Sequence, residues 1–522
     1  MDTILILDFG SQTTQLIGRR IRDMGVYTEI VPGDCGLDAA LGPDVRGIIL
    51  SGSPESVYGE GIAPDKKIYD CGLPLLGICY GLQRMTHDLG GKVEPLPERE
   101  YGRIGVTIKG TESTEQGQRF LKGFRPSFIA WMSHGDTLTK LAPGFREYGT
   151  SASGYPAVVI HEEKPWFGLQ FHPEVTHCED GDEILGAFAF GVCGCSASWT
   201  MEHYVEELSR SLTARVNENP VLLLISGGVD STVTGALLLK TLKSDQVYLM
   251  YMDTGLMRKD ETISVKTSLE RLGAKHLHIV YCEDEFLAAL EGLTEPEAKR
   301  KAIGDLFITI QEREVGRLGL PDSYFLAQGT LYTDLIESGK GVGKKAHIIK
   351  SHHNVGSPLV DARRKAGRII EPLDRLYKDE VRRLGRFLGL DGEVTGRHPF
   401  PGPGLAVRIL GEVTREKCAI LREADAIFIE ELKRRQLYDK IWQAFAILLP
   451  VRSVGVAGDG RKYGQVLALR AITSADGMTA DVYPFEARDL LEISTRITNS
   501  VPEIGRVTYD ISSKPPATIE WE

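Results

Sequence analysis

The feature that most constrains this chain is a recurring unit: a short, wholly apolar run, a turn of small residues, then apolar positions at helical spacing. Residues 4–7 end in Asp8-Phe9-Gly10, and residues 12–24 follow with Leu16, Ile17, Ile21 and Met24 at helical spacing. Residues 47–50 close on Ser51-Gly52-Ser53-Pro54, and residues 73–78 run straight into Cys79. A strand without polar alternation has to be covered on both faces. Such runs between helices therefore predict an α/β fold with parallel sheets. The rhythm restarts at 221–225 and 247–252, after a helix expected over 202–216.

With 522 residues the chain has room for about three domains. Small residues cluster at 191–200 (GVCGCSASWT), which sets a first domain at 1–195. The Pro/Gly run HPFPGPG at 398–404 cannot be regular structure and divides 196–397 from 398–522. The last block has a helical pattern over 415–435 and alternating segments at 465–472 and 506–511, as in a small α+β domain. The glycine- and lysine-rich stretch 338–347 is expected to be a mobile loop.

Acidic residues outnumber basic ones, 72 to 61, and the net charge of −11 argues against a broad nucleic-acid footprint. Arg363-Arg364-Lys365 reads as a solvated face. No apolar run approaches the ~18 residues of a membrane span, and the opening MDTILILDFGSQ lacks the marks of a signal peptide. The eight cysteines are scattered, and Cys193-Gly-Cys195 has no second pair to complete a zinc site. A cytoplasmic chain is expected, with no membrane or nucleic-acid partner and with thiols that are inert, one excepted.

That exception is Cys79. It lies between Gly77 and Gly81 at the end of an apolar strand, the spacing of a nucleophile elbow. A helix near 82–89 would turn its N-terminal dipole on the sulfur and favour thiolate. His172-Pro173-Glu174 supplies a base and an orienting acid, since residues i and i+2 of an extended segment share a face and Pro173 favours an extended or turn conformation. The backbone N–H groups of Tyr80 and Gly52 are the candidate oxyanion donors. Alone, Cys79 would read as a small buried residue and HPE as a turn. The elbow, the SGSPES loop and HPE, in that order, argue for catalysis. This constellation resembles the class I glutamine amidotransferases over about residues 1–190. The resemblance implies a flavodoxin-like domain with Cys79 as nucleophile, His172 as base and Glu174 as orienting acid. Ser53 departs from the second glycine that many members carry there.

A second site follows the run 221–225. Ser226-Gly227-Gly228-Val229-Asp230-Ser231-Thr232 places glycine-rich backbone at a strand end and a helix start, a nest of N–H donors for phosphate, and hydroxyls of Ser226, Ser231 and Thr232 add donors. A bare glycine turn with a helix cap would look similar over fewer positions. The GxxxxGK[ST] pattern is absent. The segment resembles the PP-loop of the ATP pyrophosphatases. That likeness implies a grip on the β- and γ-phosphates, attack at the α-phosphorus, and AMP and pyrophosphate as products. Asp253 and Gly329, at two further strand ends, would lie near the nucleotide.

The strings HPFPGPGLAVRILGE, VGVAGDGRKYG, KSHHNVG and KPPATIEWE, with the two motifs, make the whole chain similar to the glutamine-hydrolysing GMP synthetases. The resemblance implies glutamine, ATP and XMP as substrates, adenylation of the xanthine C2 oxygen, and displacement of AMP by ammonia. It further implies that Asp230 holds Mg²⁺-pyrophosphate and that Lys378 meets phosphate. Asp334, Glu337 and Lys350 would act in a lid, and Arg300, Lys514 and Glu520 would bind XMP. A C-terminal dimerisation module would give a homodimer. From spacing alone, Arg300 and Lys378 read as solvated helix positions. The rivals are another PP-loop amidating ligase such as an NAD synthetase, a non-catalytic sensor, and a PP-loop enzyme acting on tRNA. The C-terminal block, the intact motifs and the net charge argue against them in turn.

Overall fold

A computed structural model describes residues 1–59, 61–110, 114–337, 358–457, 460–474 and 479–522. Two compact units emerge, one built on Met1–Tyr204, the other on Val205–Asp334 and Ser351–Glu522. The stretch 338–347 expected to be a mobile loop lies outside the described residues.

The first unit contains β1 (Thr3–Asp8), β2 (Tyr27–Pro32), β3 (Val45–Leu50), β4 (Leu75–Ile78), β5 (Lys92–Ile108), β6 (Ser127–Lys140), β7 (Phe145–Ser151), β8 (Pro156–His161) and β9 (Trp166–Leu169). Among the described residues they form one sheet in the order β2-β1-β3-β4-β9-β8-β7-β5-β6. The strands from β2 to β9 along this order are parallel, as the apolar runs require, and the remainder is antiparallel. Every residue of β1 and β4 is buried. The helix expected over 12–24 spans Thr14–Asp23 and buries Ile17 and Ile21. Leu5, Leu7, Ile48, Leu50, Leu75 and Leu82 share one core, each fully buried side chain contributing about 1.5–3 kcal/mol. Its effect is to fix the carboxyl ends of β3, β4 and β9 side by side.

In the second unit β10 (Val221–Ile225), β11 (Val247–Asp253), β12 (His276–Tyr281), β13 (Phe325–Ala327) and β14 (Ile369–Ile370) form a parallel sheet in the order β12-β11-β10-β13-β14. The chain steps from β10 to β11 and β12 on one side, then returns to the other side for β13. The order thus reverses at β10, the topological switch point where open α/β sheets bind ligands. The C-terminal block carries β15 (Gln443–Ala457), β16 (Gly460–Thr473), β17 (Asp481–Val482) and β18 (Ile504–Tyr509) around the helices Arg415–Arg434 and Ala487–Ser500. The segment read as alternating over 465–472 is the C-terminal part of β16, buried without alternation from Val466 to Ile472, and β16 pairs antiparallel with β15 and parallel with β18. Met252, Leu256 and Phe286 share a core with Phe428, Ala446 and Leu467, so this block packs directly on the parallel-sheet region.

Candidate active sites

Cys79 sits where β4 passes into the helix Tyr80–Asp88, with φ 52° and ψ −107°. A positive φ on a side-chain-bearing residue costs about 1–3 kcal/mol, so the turn itself is strained at the sulfur-bearing residue. The flanking glycines are needed for space. A Cβ on Gly77 would lie 2.6 Å from the Leu82 nitrogen, and one on Gly81 would collide with the Leu50 carbonyl. The Cys79 N–H donates to the Leu169 carbonyl at 2.7 Å, locking the elbow to β9. The helix begins at Tyr80, two residues earlier than the apolar spacing indicated, so the Tyr80 N–H lies in the first turn and has no acceptor within its own helix.

His172 lies in the turn after β9, tied to β6 by its N–H to the Trp131 carbonyl at 2.9 Å. Its Nδ1 is 2.6 Å from Glu174 Oε1, and both side chains are buried. Of the extended and turn conformations open to Pro173, the turn is the one adopted, and it brings His172 and Glu174 together. Burial works against an imidazolium here, but the Glu174 carboxylate and the Cys79 sulfur outweigh it and hold His172 well above the usual imidazole range. A Cβ on Gly52 would be 3.2 Å from His172 Cε1, which places the SGSPES loop against the imidazole. Cys79, His172, Glu174 and both oxyanion candidates therefore lie in one buried cluster.

Two polar groups that the motifs do not single out lie beside the sulfur. The thiol donates to the Ser133 carbonyl at 3.9 Å, and the Gln170 carboxamide nitrogen is 4.0 Å from the sulfur. Gln83, one turn past Cys79 on the same helix face, donates to the Asp136 carbonyl at 2.8 Å. Gln83 was findable from its i+4 spacing. Gln170 and Ser133 carry no comparable signal.

In the second unit the SGGVDST segment follows β10 as expected. Gly227 takes φ +77°, Gly228 caps the helix Val229–Thr241, and the first-turn amides have no intrahelical acceptors. The hydroxyls bond within the loop: Ser226 and Ser231 are 3.1 Å apart, and Ser231 and Thr232 donate to the Gly228 carbonyl at 3.2 and 2.9 Å. A Cβ on Gly329, after β13, would lie 3.3 Å from the Ser231 nitrogen, so that strand end adjoins the loop. Asp253, ending β11, accepts from Gly255 N–H at 3.0 Å and Thr262 Oγ1 at 2.7 Å. Lys378 Nζ bridges both carboxylate oxygens of Asp230, at 2.6 and 2.5 Å.

Asp334 accepts from the Leu331 N–H at 2.9 Å and so caps its own short helix. Glu337 ends that helix, and Lys350 lies outside the described residues. Arg300 and Glu520 both line an open cavity of about 500 Å³ with Thr518, Trp521 and Glu522. Arg300 donates to the Glu522 carbonyl at 2.5 Å. Glu520 is held by Arg408 at 2.8 and 3.1 Å and by Gln443 at 2.7 Å. Lys514 does not line that cavity; its backbone pairs with Ala480.

No group of three or more His, Cys, Asp or Glu suited to a metal occurs among the described residues. The donor chemistry around Asp230 nevertheless fits Mg²⁺, which takes one or two carboxylates and completes its shell from phosphate oxygens and water.

Fold and sites together define a class: a thiol amidotransferase unit joined to a parallel-sheet unit with a phosphate-binding turn at its switch point. Residues 5–192 match the family described as Glutamine amidotransferase class-I, residues 203–306 Asparagine synthase, and residues 430–521 the GMP synthase C terminal domain. Among curated proteins, the GMP synthase [glutamine-hydrolyzing] of Rhizobium johnstonii is 49% identical across 100% of this chain and 99% of its own. That of Zymomonas mobilis is 47% identical across 100% of this chain and 98% of its own. The chain belongs to the glutamine-hydrolysing GMP synthase family.

Proposed function

We propose that the chain makes GMP from XMP, ATP and glutamine. The observation that carries the reading is that a complete thiol site and a complete phosphate turn stand in one chain whose full length matches relatives named for this reaction. In the first unit Cys79 Sγ attacks the glutamine carboxamide carbon. The N–H groups of Tyr80 and Gly52 face the developing oxyanion, and His172, oriented by Glu174, delivers a proton to the departing nitrogen. Ammonia leaves, and water releases glutamate from the thioester.

In the second unit the helix amides and Lys378 take the β- and γ-phosphates of ATP. The xanthine C2 oxygen attacks the α-phosphorus and pyrophosphate departs. Ammonia then adds at C2 and AMP leaves with the oxygen, so an amide-like carbonyl has become a displaceable group. Asp230 would hold Mg²⁺ together with phosphate oxygens, and the ion would supply charge neutralisation there. Lys378 is paired with Asp230 here and would turn to phosphate with ATP bound. Arg300, Lys514 and Glu520 serve XMP, and Asp334, Glu337 and Lys350 the closure over it.

A homodimer through the C-terminal block is supported by apolar side chains exposed on β15 and β16, namely Val451, Val454, Val456 and Tyr463. No helix among the described residues is long and apolar enough to cross a membrane. The test is a mixture of protein, ATP, Mg²⁺, glutamine and XMP, scored for GMP, AMP, pyrophosphate and glutamate, with each component left out in turn. NAD synthetase-like chemistry would instead appear as amidation of a nicotinate dinucleotide with no turnover of XMP. Light scattering on the same sample reads the oligomer.

A further inference from the structure

The phosphate turn is backed by a charged pair that none of the motifs contains. Arg397, just before the HPFPGPG run, sends one guanidinium nitrogen, Nη1, to two acceptors: the Gly227 carbonyl at 3.0 Å and Glu261 Oε1 at 2.7 Å. The Glu261 side chain is 2% exposed and that of Arg397 16%, so this ion pair is largely withdrawn from water. The other Glu261 oxygen accepts the Arg258 N–H at 3.1 Å. Gly227 has φ +77°, and a Cβ there would stand 2.9 Å from Glu261 Oε1. The glycine is thus pressed against the carboxylate, and its carbonyl is held on the guanidinium side.

We propose that Arg397 is a positioning residue for the phosphate turn, acting through the Gly227 carbonyl and itself fixed by Glu261. A peptide unit has its carbonyl and its N–H on opposite edges. Anchoring the Gly227 carbonyl inward therefore turns the Gly228 N–H to the opposite edge, where it donates to the Ser226 hydroxyl at 3.4 Å and fixes the entry to the helix Val229–Thr241. The pair also ties the turn to the C-terminal block. Arg258, whose N–H is bonded by Glu261, donates from its guanidinium to the His398 and Pro399 carbonyls at 3.4 Å and lies 3.9 Å from Asp425. The cradle for the nucleotide and the first residues of the acceptor-side block are therefore set by one connected group of charges.

The inference rests on the SGGVDST turn being the ATP site, and its test separates the two ideas. Ammonium-dependent GMP formation is measured for Arg397→Gln, Arg397→Lys and Asp230→Ala, with Michaelis constants for ATP and XMP and the inhibition constant of pyrophosphate. Arg397→Gln is expected to raise both the ATP and the pyrophosphate constants about tenfold, while the XMP constant moves less than twofold. Arg397→Lys, which keeps one donor and the charge, recovers part of the loss. A general loss of packing would instead lower the melting temperature and kcat and leave the pyrophosphate constant alone. ATP and pyrophosphate constants unchanged in a folded Arg397→Gln protein, with Asp230→Ala inactive, overturn the role of Arg397 and leave the site in place. Full activity of Asp230→Ala overturns both.

Discussion

Gly77→Ala tests whether the elbow geometry, rather than the mere presence of Cys79, makes the first site reactive. The added Cβ would lie 2.6 Å from the Leu82 nitrogen and 2.7 Å from the Gly81 carbonyl carbon, both backbone atoms of the turn. Ordinary contact begins near 3.4 Å, so the turn and β4 have to separate by about 0.8 Å. Neither side yields easily: β4 is paired with β3 and β9, and the Cys79 N–H is bonded to Leu169. The helix carrying Cys79 and Tyr80 must shift, moving the sulfur relative to His172, which is fixed separately to β6. A misplacement near 1 Å costs about a hundredfold when reacting groups must be aligned, so glutamine hydrolysis should fall by tens- to a hundredfold. Overpacking should also remove about 1–3 kcal/mol of stability. The assay is glutamate release beside ammonium-dependent GMP formation, with Gly105→Ala as the control, since a Cβ at Gly105 meets nothing within 4 Å. Glutaminase kcat/KM within twofold of the parent in a folded Gly77→Ala protein would refute the steric argument.

Cys79→Ala should abolish glutamine-dependent synthesis and spare synthesis from added ammonium, because the thiol is needed only to release the nitrogen; loss of both activities in a folded protein contradicts that division. ATP should yield AMP and pyrophosphate in step with GMP, and stoichiometric ADP by nucleotide chromatography would remove the phosphate turn from its assigned role. His398 supplies a pH test. Burial lowers its pKa from 6.5 to about 4, and the neutral ring accepts the Ala444 N–H while lying 3.0 Å from the Tyr438 carbonyl and stacked on the Tyr438 ring. Between these values the unfolded chain binds a proton that the folded chain refuses, so stability present above pH 6.5 is lost as the pH falls towards 4, by about 2 kcal/mol at pH 5. Urea unfolding at pH 7 and pH 5 should show that loss in the parent and not in His398→Gln; equal pH dependence in the two would dismiss it.

The parallel regions were legible because a strand buried on both faces has to be apolar throughout. The run 221–225 coincides with β10, and 247–252 falls one residue short of the end of β11. The antiparallel ribbon was legible only in part. β15 contains Pro450, and a proline inside an apolar run argues against a strand because it cannot donate to a ladder. The structure resolves the conflict with a register shift between Leu448 and Arg452, which lifts Pro450 out of the pairing. At the sites, motif residues were readable because each acts through local backbone geometry. Their supports were not. Arg397 meets Gly227 from 170 positions away, and Gln170 meets Cys79 from 91. Such contacts are made by the fold and leave no period or spacing in the sequence. The loop hydroxyls show the same limit: residue type identified them as donors, but only the fold shows that they bond to the loop itself.

Both sites lie at the carboxyl edge of a parallel strand, yet they place backbone strain differently, and the chemistry explains why. At the first site the reagent is a side chain, so the residue at positive φ has to carry one. Cys79 holds φ 52° at a cost that the Leu169 hydrogen bond and the close-packed glycines on either side must offset. Glycine there would relax the turn and remove the sulfur. At the second site the reagents are backbone N–H groups, so positive φ falls on Gly227, where it costs little. Any side chain there would strain the backbone and press on Glu261, turning the Gly227 carbonyl away from Arg397. The same fold edge thus demands a strained non-glycine where a bond is to be made and an unstrained glycine where an anion is to be cradled. Exchanging the two residue types would disable each site for the opposite reason.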